Sequence, residues 1–566
     1  MKLLSLALTL LFFPSIWGAE TLSLQLSPGM KPLPLAEATP PLHVPIPEAT
    51  SPKDGLMLTP EVPFQWAYLN SREEPLRFRI DSDDEIFSDT ILTIWNWNNR
   101  PVFRKKLPAG QSFDLKIKLK GLGVYQFTLE GYEAEKCTKR LVRSFAVTED
   151  LNRAREIWKT DEFFLGVCAL SGRYHWLFEG KPTIPDGIYP HAARELEAEL
   201  MARLGFQVVR VDESMEMGSD IGNGYRYHFK RMDAVVNAYT SRGMKLALQL
   251  MNAPDWAIHP KYDSVKSNLW RYPRQPEPQK AYIKALLNRY GKHTRFVQVF
   301  NEPDQTQFWA GTPDEFIEQF RYTKEMVEPF DLPVVNGGYS LFEPEKTAHF
   351  AGKLKGELNQ IAYHCHGDLK ALIEDYNLVK TLHREAGYSD PDFINTEMGF
   401  DGWRLDQELR KGQYVPQKTL YCWANDHSGV LLFGSRMTQG PYRRSQDFGF
   451  IDHFFCPRYV YGSIGAMVST LAGATFHSVV LEDGNHFIYR FQKGSETILS
   501  AFSLEPDSPP LQVKTNALQA VVVDPMGNQR DIEKPDTIAL QTGNYPVYLK
   551  LEAESDIVIT IETPSR

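Results

Sequence analysis

Two short segments carry residues able to do chemistry: Val299-Phe300-Asn301-Glu302-Pro303 and, later in the chain, Ile394-Asn395-Thr396-Glu397-Met398-Gly399. In each, a β-prone apolar run ends in a carboxylate. An isolated glutamate at a loop start is ordinarily a solvated surface residue. Two in matching strand-end contexts, one of them inside Asn-Glu-Pro, point instead to a facing pair. Paired carboxylates are the machinery of glycoside hydrolysis: one protonates the leaving oxygen while the other attacks the anomeric carbon or activates a water.

Such a pairing needs a scaffold that brings strand ends to one rim. From about residue 150 onward, apolar β-prone runs alternate with amphipathic helical stretches. The strand candidates are Phe163–Cys168, Gln207–Val211, Lys245–Leu250, Phe296–Phe300, Pro333–Asn336, Gln360–His364, Phe393–Asn395 and Gly429–Phe433. Helix candidates between them, such as His191–Leu204 and Phe229–Ser241, stop at Gly205 and Gly243, the expected C-cap residues. Eight strand–helix repeats predict a (β/α)8 barrel over 151–475, with catalytic groups at the C-terminal strand ends. Those ends present Arg210, then Asn252 and Trp256, Asn301 and Glu302, Tyr339, Tyr363 with His364 and His366, and finally Glu397. Three long segments, 212–227, 252–276 and 400–419, are read as loops walling a cleft, which favours exo action or short oligosaccharides.

The flanks read differently. Residues 1–19 have a charged start, an apolar run from Leu3 to Trp17 and small residues at Gly18 and Ala19, the pattern of an export signal. That predicts a secreted or periplasmic protein. A proline-dense stretch over 20–61 reads as extended chain. Period-two alternation over 62–150 (Leu76-Arg77-Phe78-Arg79-Ile80, Tyr125-Gln126-Phe127-Thr128-Leu129) predicts an N-terminal antiparallel β-sandwich. Short strands after Gly473 predict a second one over 476–566. A net charge of −9 without a basic stripe argues against a nucleic-acid partner, and no segment past the leader is long and apolar enough to span a membrane. Of the five cysteines, Cys168 and Cys365 sit in apolar strands and read as buried small hydrophobes; Cys422 and Cys456 form the one pair considered for a disulfide. Oligomeric state is not legible.

The chain resembles the clan A glycoside hydrolases over roughly 160–470. Those enzymes place an Asn-Glu acid/base after strand four and a Glu nucleophile at the end of strand seven, matched here by Asn301-Glu302 and Glu397. Asn252-Ala253-Pro254-Asp255-Trp256 looks like family 39. Asp452-His453 through Pro457-Arg458-Tyr459 to Ala472-Gly473-Ala474 is similar to families 39 and 51. The resemblance implies an α/β fold, a TIM barrel with flanking sandwiches. It also implies a retaining glycosidase acting by double displacement on β-linked or equatorial-type bonds of oligo- or polysaccharides; the lack of a metal-ligand cluster and of a zinc or haem signature predicts no cofactor and no metal. One departure stands out: families such as 5 carry a Trp at the end of strand eight, absent from Leu431-Leu432-Phe433-Gly434-Ser435, so that Trp403 or Trp423 would have to supply the sugar platform.

On this reading apolar surroundings and the negative charge of Glu397 keep a proton on Glu302 at rest. Asn301 binds the sugar 2-hydroxyl. Arg210 holds Glu397 ionised or forms an internal ion pair of the barrel. His364 and Tyr363 orient Glu397 or bind a hydroxyl, His364 alternatively being a satisfied core residue. Asn252, Trp256 and Tyr339 complete the expected substrate contacts. His364, His366 and Asp368 have a superficial metal-ligand spacing, for which strand-end histidines in a sugar cleft account equally well. The competing reading is a catalytically inactive carbohydrate-binding or structural exported protein.

Overall fold

A computed structural model of the chain describes residues 56–562 with short interruptions, the longest at 437–446, together with the strands Ser23–Gln25 and Lys31–Pro32. The leader over 1–19 lies outside the described residues.

All eight expected barrel strands form, in one parallel sheet: β1 Phe164–Ala169, β2 Val208–Ser214, β3 Lys245–Asn252, β4 Thr294–Val299, β5 Val334–Val335, β6 Gln360–Cys365, β7 Asp392–Met398 and β8 His427–Leu432. The hydrogen-bonded order is β5-β4-β3-β2-β1-β8-β7-β6. Helices follow each strand: α1 Pro190–Arg203, α2 Lys230–Thr240, α3 Pro276–Tyr290, α4 Pro313–Val327, α5 Pro344–Lys353, α6 Leu369–Glu385, α7 Leu405–Ala424 and α8 Tyr459–Leu471. Gly205 and Gly243 end α1 and α2 with φ of 77° and 82°, conformations that cost glycine no Cβ clash. Inside the barrel, Phe164, Cys168, Val208, Ala247, Phe296, Val335, Ala362, Ile394 and Leu431 form a closed apolar plug. The rim above it is therefore rigidly supported.

The seam between β5 and β6 is closed by a side chain. β5 is only two residues long, and the buried Asn336 continues it by accepting from Ala362 N at 2.7 Å and donating to Ala362 O at 2.7 Å. Tyr339 N adds a bond to the same carbonyl at 3.0 Å. Asn336→Leu leaves the Ala362 N–H without a partner and its carbonyl short of a donor. We expect a loss of about 2–4 kcal/mol, read as a lower urea midpoint with an unchanged slope.

Several boundaries differ from expectation. Leu56–Pro60 is a strand paired with Leu76–Ser82, so the first sandwich takes in chain that reads as an extended proline-rich lead. Its two sheets are antiparallel except where Ala67–Leu69 runs parallel to Lys136–Thr148. Most of 400–419 is not loop: α7 begins at Leu405 and accommodates Pro416 in its interior. The 212–227 segment carries a small hairpin, Met217–Asp220 with Tyr225–Tyr227. After Gly473 a six-stranded and a three-stranded sheet form the second sandwich. α8 is buried at nearly every residue, as befits a helix apolar on all sides, and lies against the strands Gly123–Glu133 and Lys136–Thr148. Asn528 joins the two sandwiches, accepting from Leu122 N at 2.7 Å and donating to Leu122 O at 3.1 Å. All five cysteines are free thiols, Cys422 in the barrel core and Cys456 in the core of the first sandwich, so the considered disulfide is absent.

Candidate active site

β4 stops at Val299, and the chain then turns into the mouth with two non-glycine residues in the left-handed region, Phe300 (φ 69°) and Glu302 (φ 43°). Backbone strain of this kind persists only where surroundings over-determine it, and here they do. Phe300 N donates to Leu250 O and Glu302 N to Gly337 O, while Gln298 Nε2 donates to the Phe300 and Gly337 carbonyls at 3.2 and 3.0 Å. Gln249 of β3 donates to Asn301 Oδ1 at 2.7 Å, which fixes that amide and leaves its Nδ2 as the donor. Both oxygens of Glu302 are engaged: Oε1 meets His364 Nδ1 at 2.8 Å and Oε2 accepts from Gln305 Nε2 at 2.8 Å.

Glu397 reaches the same place through an irregularity in β7. Tyr363 pairs with Asn395, but the next β6 residue, His364, pairs with Glu397. Two β7 residues, Thr396 and Glu397, thus oppose one of β6, and the bulge re-aims Glu397. Thr396 Oγ1 lies 3.1 Å from His364 Nε2. Arg210 of β2, fully buried, hydrogen-bonds Glu397 Oε1 as an ion pair. His366 Nε2 stands 3.2 Å from Glu397 Oε2, and His364 Nδ1 3.8 Å from it. Burial pushes the Glu397 carboxyl up, but Arg210, with His364 and His366, outweighs it and holds the group well below the usual carboxylate range. One oxygen each of Glu302 and Glu397 and a nitrogen of His366 lie within 4.8 Å of one another. A divalent cation would fit among these three groups by spacing. Asp368 is no part of them: it caps α6 by accepting from Ala371 N at 3.0 Å.

His364 therefore sits between the carboxylates, in space that Gly338 leaves open: an added Cβ there would fall 2.1 Å from its Nε2. Tyr363 and Tyr339 do not reach the mouth. On a strand, neighbours face opposite ways, and Tyr363 points outward, its hydroxyl 2.8 Å from His427 Nε2. Tyr339, wholly buried, stacks on Phe350 of α5 at 5.9 Å. Trp256 is half-buried on the turn Asp255–Ala257 and packs on the barrel–helix core. Asn252 ends β3, its side chain outside the described residues, as is Trp403. Trp423 is no platform: it is buried, stacked on Phe163 at 5.0 Å. At the β8 exit Phe433 and Phe448 flank His366 instead, at 5.2 and 4.9 Å. The roles of His366, Gln249 and Gln305 are ones that sequence reasoning does not supply. His366 follows His364 by two residues, just past the end of β6, which is the only local signal; the glutamines carry none.

No protein-family model matches the chain. A β-xylosidase of Caldicellulosiruptor saccharolyticus is 26% identical over 155 residues, 24% of this chain and 30% of the relative. The chain thus spans less than a third of that curated relative. Among solved structures, a family 39 glycoside hydrolase from the gut symbiont Bacteroides cellulosilyticus WH2 superposes with a TM-score of 0.65 at 15% identity, covering 88% of this chain and all of that one. A monomeric β-xylosidase from Caulobacter crescentus CB15 gives 0.48 at 15% identity over 70% of this chain and 97% of its own. The barrel with flanking β domains is the fold of the family 39 structure.

Proposed function

We propose that this protein is an exported retaining glycosidase that cleaves β-linked oligosaccharides by double displacement. One observation carries the reading: a carboxylate oxygen of Glu302 and one of Glu397 lie within 4.8 Å on a rigid rim. Inverting enzymes need about 6.5–9.5 Å between carboxyls to seat a water, and retaining ones about 5–5.5 Å.

In the first step Glu397 attacks the anomeric carbon while Glu302 gives its proton to the leaving oxygen. Arg210 and His366 keep Glu397 unprotonated and aimed. His364 and Gln305 are in place to hydrogen-bond the carboxylate that Glu302 becomes, and Asn301 Nδ2, freed by Gln249, donates to the sugar 2-hydroxyl as the oxocarbenium ion develops. In the second step Glu302 takes a proton from a water whose oxygen attacks the anomeric carbon; that bond forms as the bond to Glu397 breaks, and the carboxylate of Glu397 leaves.

The curated relative's name makes aryl β-xylosides the first substrates to try. Proton NMR of the first-formed product tests the mechanism: a β-anomer is expected from a β-glycoside. An α-anomer at first appearance would sink double displacement, and no turnover across a panel of aryl glycosides would sink the activity.

A further inference from the structure

Behind the mouth, Lys418 of α7 is wholly buried. All its hydrogen-bond acceptors among the described residues are main-chain carbonyls: Gly399 O at 2.6 Å, Gly367 O at 2.8 Å and Cys365 O at 3.4 Å. Three donors of one ammonium meet three acceptors, which is its full capacity. The choice of acceptors is informative. Cys365 and Gly367 bracket His366, and Gly399 lies two residues past Glu397. Gly399 N also donates to Cys365 O at 3.2 Å, tying the exits of β6 and β7 together beneath the two side chains. Burial pulls the ammonium below the ordinary lysine range, a cost that a residue needed only to fill space would not incur. Without a cation there, three carbonyl dipoles would converge on one point and repel, and the exits would part.

We infer that Lys418 is a positioning residue: its ammonium, inserted from α7 among the carbonyls of Cys365, Gly367 and Gly399, sets where His366 and Glu397 stand without touching substrate. The inference rests on the glycosidase reading for its kinetic arm alone.

The test compares wild type, K418M, which keeps length but no charge, and K418R. K418M is expected to fold and to lose about 10- to 100-fold in kcat, the scale of a small misplacement of a reacting group. KM should stay within about threefold, since the substrate contacts remain, and K418R should recover more of kcat than K418M. Hydrogen exchange followed by mass spectrometry gives the second readout: peptides spanning 363–368 and 396–400 should exchange faster in K418M while the other barrel strands keep wild-type rates. If K418M does not fold, K418Q, which retains a donor, replaces it with the same expectations at smaller size. Wild-type kcat with wild-type exchange in those peptides overturns the inference. So does exchange raised evenly over the whole barrel, the mark of a purely structural role. Should wild type turn over no glycoside, the activity reading fails by itself, and the exchange pattern decides the placement of Lys418.

Discussion

Glu397→Gln should abolish turnover, with kcat falling on the order of 10⁵-fold, because the residue that forms the bond to the anomeric carbon cannot be replaced by its neighbours. The amide keeps shape and much of the hydrogen bonding, so saccharide binding should survive, as calorimetry with an unhydrolysed oligosaccharide would record. Glu302→Ala should behave differently. Proton transfer contributes about 10²–10⁴-fold, and that loss should appear in full on alkyl glycosides with poor leaving groups. On activated aryl glycosides the first step needs no acid, so a far smaller loss is expected there, and azide should restore turnover by capturing the Glu397-bound sugar. Equal losses on both substrate classes at position 302 would remove Glu302 from its assigned role. Azide rescue of Glu397→Gln with retained configuration would remove Glu397 from its own.

The second large effect is expected at Arg210. Arg210→Met strips a buried carboxylate of its main counter-charge, leaving His366 and His364 to face Glu397. Removing one partner of a buried pair costs about 3–5 kcal/mol of folding stability, and with its nucleophile no longer held in place kcat/KM at neutral pH should fall on the order of 10²-fold. The direction with pH is fixed by the electrostatics. Arg210 holds the Glu397 carboxyl low against its burial; without it the carboxyl rises, and the acid limb of kcat/KM should move to higher pH. Stability follows the same sign. A carboxyl depressed in the folded state contributes fully above its unfolded value, and that contribution drains away as pH falls through the folded one. Wild type should therefore lose this part of its stability only in acid, and Arg210→Met should show a flatter stability profile there. An acid limb that stays in place in Arg210→Met would refute the assigned charge–charge coupling.

The barrel was legible because each strand is a short apolar run and two helices stop at glycine, signals carried by a dozen neighbouring residues. Both glutamates were legible for a similar reason: a carboxylate closing an apolar run is visible locally, and the eightfold repeat says that such ends share a rim. The flanking sandwiches announced themselves by alternation, although the strand Leu56–Pro60 was hidden among prolines, since its pairing with Leu76–Ser82 is a contact and not a composition. About the first four turns of α7 read as loop, because Pro416 and the polar residues around it carry no helical signal until the barrel and the second sandwich pack on them.

Within the site, what escaped the sequence is whatever depends on pairing between strands. Tyr363 and His364 are adjacent and equally plausible at a strand end; only the inward register of Ala362 and His364 sends Tyr363 to the helices. Tyr339 turns away for the same reason of facing, onto Phe350. The bulge that lets Thr396 and Glu397 both face His364 exists as a mismatch between β6 and β7, and neither strand encodes it alone. Gln249 and Asn301 become neighbours through the pairing of β3 with β4, and Arg210 meets Glu397 across β1 and β8, whereas Glu302 and His364 meet only where the sheet closes between β5 and β6, at the seam that Asn336 bridges. Which residues are chemically able, and which end of the barrel they occupy, can be read along the chain, because both are local properties of a run and its last residue. Tertiary structure alone decided which of them meet, since hydrogen bonds and ion pairs act over about 3 Å and that distance is set by strand register and barrel closure.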